Sequence, residues 1–120
     1  MQKIEGLLGL CVRAGQITLG ADLALREIRG SRAALALIDA GASDGTKKKI
    51  SDACQYRRVP LYELPAGALD GACGRDGRMA AAVKDGPLAR QLITLLSSAQ
   101  ADGNTNQTQN NANRGGASIS

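Results

Sequence analysis

The chain has no histidine, tryptophan or phenylalanine, and only two tyrosines, Tyr56 and Tyr62. Without histidine it lacks the commonest general base and a common metal ligand. With 2% aromatic residues, its 43% hydrophobic content must build a core from Leu, Ile, Val and Ala. The same shortage argues against single-strand nucleic-acid binding by stacking platforms. The three cysteines, Cys11, Cys54 and Cys73, form no CxxC pair. An odd, scattered count with no disulfide framework points to reduced thiols and a cytoplasmic protein. No apolar run reaches membrane-spanning length, and Glu5 and Arg13 interrupt the first one, which does not read as a secretory signal.

What is present is enough for one domain and a tail. The 120 residues carry a net charge of +4, a mild basicity that favours an anionic partner without requiring one. From residue 99 the composition turns to Asn, Gln and Gly, with Ile119 the one sizeable apolar side chain. Such a segment cannot offset its own ordering entropy, so residues 1–98 are expected to fold and 99–120 to be disordered.

Periodicity predicts helices over 2–14, 21–29 and 44–56, a short one over 65–72 begun by Pro65, and a last one over 88–97. Between them lie a short extended piece at 17–19 and strands at 33–38, 59–64 and 79–83. Pro60 puts its strand at an edge or at the strand's first residues. The alanine-rich 79–83 segment suits a central or a tightly packed strand. Helix alternating with strand predicts a three-layer α/β/α sandwich around a small mixed sheet, with ligands beyond the strand ends.

The segment 33–49, AALALIDAGASDGTKKK, joins an apolar strand to a small-residue turn and then a lysine triplet. Free backbone N–H groups and the helix dipole make such a turn a candidate phosphate site. It is not a nucleotide P-loop. Three residues, not four, separate Gly41 from Gly45, and Thr46 precedes Lys47, Lys48 and Lys49. The triplet reads equally as a solvated helix face. A second candidate opens at Gly20, Ala21 and Asp22, followed by Arg26 and Arg29 on one predicted helix. A third is the turn with Arg75 and Arg78. No nucleophile has a base beside it, and no carboxylate cluster has metal spacing, so catalytic, cofactor and metal roles are not expected.

The ordered set LGLCVRAGQITLGADLALREIRG, AALALIDAGASDGTKKKI, RVPLYEL and LDGACGRDGRMAAAV resembles the L-seven-Ae/L-thirty-e ribosomal-protein family, in its bacterial YlxQ-like branch. The resemblance implies an α/β/α sandwich of the L-thirty-e type, binding to kink-turn or ribosomal RNA, and a non-catalytic role beside the ribosome or other translation proteins. It implies that the helix opening at Gly20 enters the kink, with Arg26 at a basic RNA-contacting position. It also matches the turn near Pro65 and Leu69 to a loop that packs on a flipped-out base. Strong binders of the family usually carry Asn or Lys and then Glu or Gln where this chain has Asp22 and Leu23. That difference raises a second expectation, a protein–protein adaptor on the same fold. A third is the substrate-binding partner of an RNA-modifying enzyme.

Overall fold

The computed structural model describes residues 2–74 and 77–104. Arg75 and residues 105–120, among those singled out above, lie outside the described residues. The elements run α1 (Gln2–Arg13), β1 (Ile17–Leu19), α2 (Ala21–Arg29), β2 (Leu35–Asp39), α3 (Asp44–Arg57), β3 (Leu61–Leu64), α4 (Ala68–Cys73), β4 (Ala80–Val83) and α5 (Pro87–Asn104).

The four strands lie in the order β1-β4-β2-β3. β4 is antiparallel to both β1 and β2, and β2 is parallel to β3, so the sheet is mixed. The expected three layers follow from the period-two alternation of the strands. Leu35, Leu37, Tyr62, Leu64, Ala81 and Val83 face one way and pack with α1, α4 and α5 through Leu8, Cys11, Leu69 and Leu92. Ala36, Ile38, Ala80 and Ala82 face the other way and meet Ala24 and Ile28 of α2 and Ile50, Ala53 and Cys54 of α3. The second layer is built mostly of small side chains, which lets α2 and α3 sit close to the sheet.

The alanine-rich strand is central and the strand that follows Pro60 is an edge, each one of the two positions that the sequence left open. Pro60 precedes β3 and its carbonyl accepts the Ala36 N–H at 2.9 Å. Across the edge the Tyr62 hydroxyl shares a 3.0 Å hydrogen bond with Ser97 of α5.

Most boundaries shift by one or two residues, and three shifts have a local cause. The short helix does not start at Pro65, because Gly67 has φ 82, outside the helical range, and the helix begins at Ala68. The second strand runs on to Asp39, whose N–H reaches the Met79 carbonyl at 2.8 Å. The last helix continues to Asn104, so residues 99–104 of the expected tail are helical. Ala99, Gln100 and Ala101 are good helix formers and extend it where composition suggested a break.

Cys11, Cys54 and Cys73 are all buried. Burial pushes the Cys54 thiol up from its ordinary 9.0 to about 11 and raises Cys11 as well. In the unfolded chain these thiols ionise near their ordinary value, while in the fold they stay neutral. Their contribution is therefore complete below about pH 9 and is lost as pH rises from 9 towards 11. Urea denaturation at pH 8 and pH 10 should show a stability loss at the higher pH. Cys54→Ala should reduce that loss by on the order of 1 kcal/mol.

Candidate nucleic-acid interface

The pairing directions place one set of strand ends together. β1, β2 and β3 all run the same way against β4, so Leu19, Asp39 and Leu64 end at the edge of the sheet where Ala80 begins. The turns into α2, α3 and α4 and the turn from α4 into β4 meet there.

Gly20 makes the turn into α2. Its φ of 107 and ψ of 142 lie where only glycine is comfortable, and its N–H donates to the Ala80 carbonyl at 2.8 Å. It offers no side-chain cap, and the first bond of the helix runs from Ala24 N–H to the Gly20 carbonyl. Ala21 and Asp22 open the helix and face Thr46 and Lys49 of α3 across a narrow cleft, with Leu25 and Ile50 in its wall. Asp22, Arg26 and Arg29 are exposed and fall on one stripe at spacings of four and three. By helix rise, Arg29 lies about 10 Å along the axis from Asp22. It belongs to the other end of the molecule, not to the cluster of turns.

The turn after β2 does not offer the open phosphate cradle that its sequence suggested. Asp39, 1% exposed, is the one buried charged residue described in the core. Its Oδ1 accepts the Gly41 N–H at 2.7 Å and its Oδ2 accepts the Gly67 N–H at 2.9 Å. The Asp39 carbonyl takes the Ala42 N–H at 3.0 Å. Ser43 is the N-cap of α3 and accepts the Thr46 N–H, while its hydroxyl donates to the Thr46 hydroxyl. Gly45 lies inside the helix, not in the turn. Several donors that a phosphate would need are thus engaged, and a carboxylate stands among them.

The lysines diverge. At about 100° per residue, three consecutive helical positions cannot face one ligand. Lys47 lies 3.9 Å from Glu63 of β3, Lys48 lies 3.3 Å from Asp52, and Lys49 lines the cleft beside α2. The two ion pairs are largely exposed and worth roughly 0–1 kcal/mol each, so an anion can draw either lysine away at little cost.

Leu69, expected at the surface, is fully buried in the core. It anchors the turn from below, and Pro65, Ala66 and Gly67 are its exposed residues. Asp70 organises the next turn: its oxygens accept the Gly77 N–H at 3.0 Å and the Arg78 N–H at 2.8 Å. Arg78 is exposed just before β4, at the same sheet end. Among the described residues no group of three or more metal-binding side chains is found, and no helix is long and apolar enough to cross a membrane.

Sequence reasoning missed Asp39 as a hub. The signal was an acid closing an apolar strand, with Gly two residues on, which is an Asx-turn pattern. Its second partner, Gly67, is 28 residues away and had no local sign.

Fold and turn arrangement together define an α/β/α sandwich of the L-seven-Ae/L-thirty-e type. The chain is 42% identical over 91 residues to the RNA-binding protein YlxQ of Bacillus subtilis strain 168, spanning 75% of this chain and 91% of that one. It is 40% identical over 63 residues to the RNA-binding protein YlxQ of Enterococcus faecium, spanning 52% and 61%. A Bacillus halodurans protein of unknown function superposes with TM-score 0.76 at 28% identity, covering 81% of this chain and 99% of that one. The 15.5kD RNA-binding protein of Giardia lamblia superposes with TM-score 0.65 over 81% and 87%. At 20% identity it shows the shared fold alone. No protein-family profile matches the chain. The chain belongs to the YlxQ family.

The Asp39 bonds join two turns of this surface, so their loss should be global. Asp39→Ala leaves the Gly41 and Gly67 N–H groups without their acceptor and should cost about 3 kcal/mol. Thermal denaturation followed by circular dichroism should show a melting point lower by roughly 15 °C. Asp39→Asn keeps one accepting oxygen and should fall between the two.

Proposed function

We propose that this chain is a non-catalytic binder of structured RNA, of kink-turn type, that works with the ribosome or other translation proteins in the cytoplasm. The observation that carries the reading is the convergence of four turns at one sheet end, around the uncapped start of α2, in a member of a family whose relatives are named RNA-binding proteins.

In this reading Gly20 allows the RNA backbone to approach, because no side chain projects there. The first N–H groups of α2 favour phosphate through the helix dipole. Arg26, one turn further on, pairs with a phosphate inside the bend. Lys49 faces the same cleft from α3, and Lys47 and Lys48 release Glu63 and Asp52 to add long-range attraction. The exposed turn 65–67 packs against an unstacked base, held from below by Leu69. Bent RNA is read as much by shape as by base edges, which suits a surface of turns. Asp22 opposes nearby phosphate and weakens the contact.

Leu23, 48% exposed on the first turn of α2, favours a second reading, the adaptor. In that case partners are retained after nuclease treatment.

Calorimetric titration with a kink-turn duplex and a straight duplex of equal length separates these readings. The kink-turn should bind more tightly, and equal affinity would sink the kink-specific reading. Arg26→Ala should weaken kink-turn binding about tenfold or more. Lys47→Glu with Lys48→Glu should weaken binding and flatten its salt dependence, with the melting temperature nearly unchanged. Asp22→Asn should tighten binding.

A further inference from the structure

The opposite end of the sheet carries a second assembly that the kink-turn reading does not use. Four turns meet there too, tied by Lys84 N–H to the Gln16 carbonyl at 2.9 Å, Ala34 N–H to the Val83 carbonyl at 2.7 Å, and Ala36 N–H to the Pro60 carbonyl at 2.9 Å. α2 and α3 both end at this side, bringing Arg29, Arg57 and Arg58 to the turns that hold Arg32 and Lys84. The nearby carboxylates are engaged. Glu27 pairs with Arg32 at 3.1 Å, and Asp85 lies 3.5 Å from Arg90. Among the described residues neither Arg57 nor Arg58 has a carboxylate within ion-pair distance, so this end has a cationic surplus.

Basic residues at helix C-termini complement the dipole, which accounts for Arg29 and Arg57. It does not account for two other features. Tyr56 is 81% exposed, in a chain whose other aromatic, Tyr62, is buried. The Arg57 guanidinium lies 5.3 Å from the centre of the Tyr56 ring. Arg58 closes α3 in the left-handed conformation, φ 59 and ψ 41, where glycine is favoured. A cation therefore stands where backbone geometry prefers no side chain. Beside it runs an open groove of about 570 Å³, floored by Val59, Pro60 and Leu61 and rimmed by Ser51, Gln55 and Arg58.

We propose that this end is a second RNA-contact surface, specific for an unpaired segment. The Tyr56 ring stacks on one base, Arg57 and Arg58 pair with the flanking phosphates, and Lys84 continues the cationic track across the sheet end. Two tyrosines cannot build the row of platforms used by dedicated single-strand binders, but one exposed ring suffices to hold one base. The mixture of exposed ring and unpaired cations fits nucleic acid better than a protein partner, which would need a larger apolar patch. By helix rise, α3 separates this surface from the turns around Ser43 by about 20 Å. RNA seated at the start of α2 leaves it uncovered, and it stands independently of the kink-turn reading.

The test uses the full chain with Tyr62→Phe, so that Tyr56 is its only tyrosine. Titration with a uridine oligomer of about 12 nucleotides should quench the tyrosine fluorescence, weakly at high salt and strongly at low salt. In anisotropy measurements on the otherwise natural chain, Tyr56→Ala and Arg57→Ala with Arg58→Ala should each weaken oligomer binding about tenfold. Tyr56→Phe should retain binding and Tyr56→Lys should not, which separates stacking from charge. Arg26→Ala should leave oligomer binding unchanged, and Tyr56→Ala should leave kink-turn duplex affinity unchanged. The proposal is overturned by absence of quenching, by oligomer affinity that ignores Tyr56, or by oligomer binding that follows Arg26 instead. A nuclease-resistant protein partner lost on Tyr56→Ala overturns it as well.

Discussion

A carboxylate taken out of water at the end of a strand is costly unless its oxygens are fully used. Asp39 is buried on these terms: each oxygen accepts a backbone N–H, and its own N–H reaches across to the start of β4. Three segments distant in sequence are thereby fixed against one another. Leu69 below and Asp70 alongside do the same for the turn between α4 and β4. The surface is formed of turns, yet their positions are set by charge-assisted bonds to the backbone, which are stronger than neutral ones. This is how a chain almost without aromatics holds three of these turns in register, while the Gly20 turn is tied by its N–H to the Ala80 carbonyl.

The same bonds decide which part of the surface can receive an anion. At the turn into α3 the donors are turned inward, towards Asp39 and Ser43. At the turn into α2 they are not, because Gly20 has no side chain to cap them. In the proposed binding mode the contact therefore centres on the Gly20 turn and not on the lysine-rich one, although the lysines dominate the sequence to the eye. The charges divide in a related way. Near Gly20, cations are interleaved with Asp22, Asp44 and Glu63, whereas the far end combines Arg57, Arg58 and Lys84 with carboxylates already engaged.

Much of this fold was legible in the sequence. The helices showed periodic Leu and Ile, the apolar runs marked the buried strands, and Pro60 and the alanine segment were consistent with an edge and a centre without requiring them. The divergence of Lys47, Lys48 and Lys49 also follows from helix geometry once the start of α3 is known. Leu69 was misplaced because a residue in a turn motif can serve as its buried anchor. Asp39 joining Gly67 was illegible for another reason: a contact between two turns has no period and no local composition. Compositional contrast ended the last helix at 97 and the domain at 98, but the good helix formers Ala99, Gln100 and Ala101 continue the helix, which runs to Asn104.

The strand order has a consequence for how the protein is made. β4 is the last strand to be synthesised, yet it lies between β1 and β2. Until residues 80–83 have left the ribosome, β1 has no partner and β2 has one unpaired edge, and the Gly20 turn has no Ala80 carbonyl to receive its N–H. Completing the sheet therefore requires β4 to insert between two strands that precede it in the chain. Until it does, the edges of β1 and β2 that face it are unpaired strand edges of the kind that invite pairing with other chains.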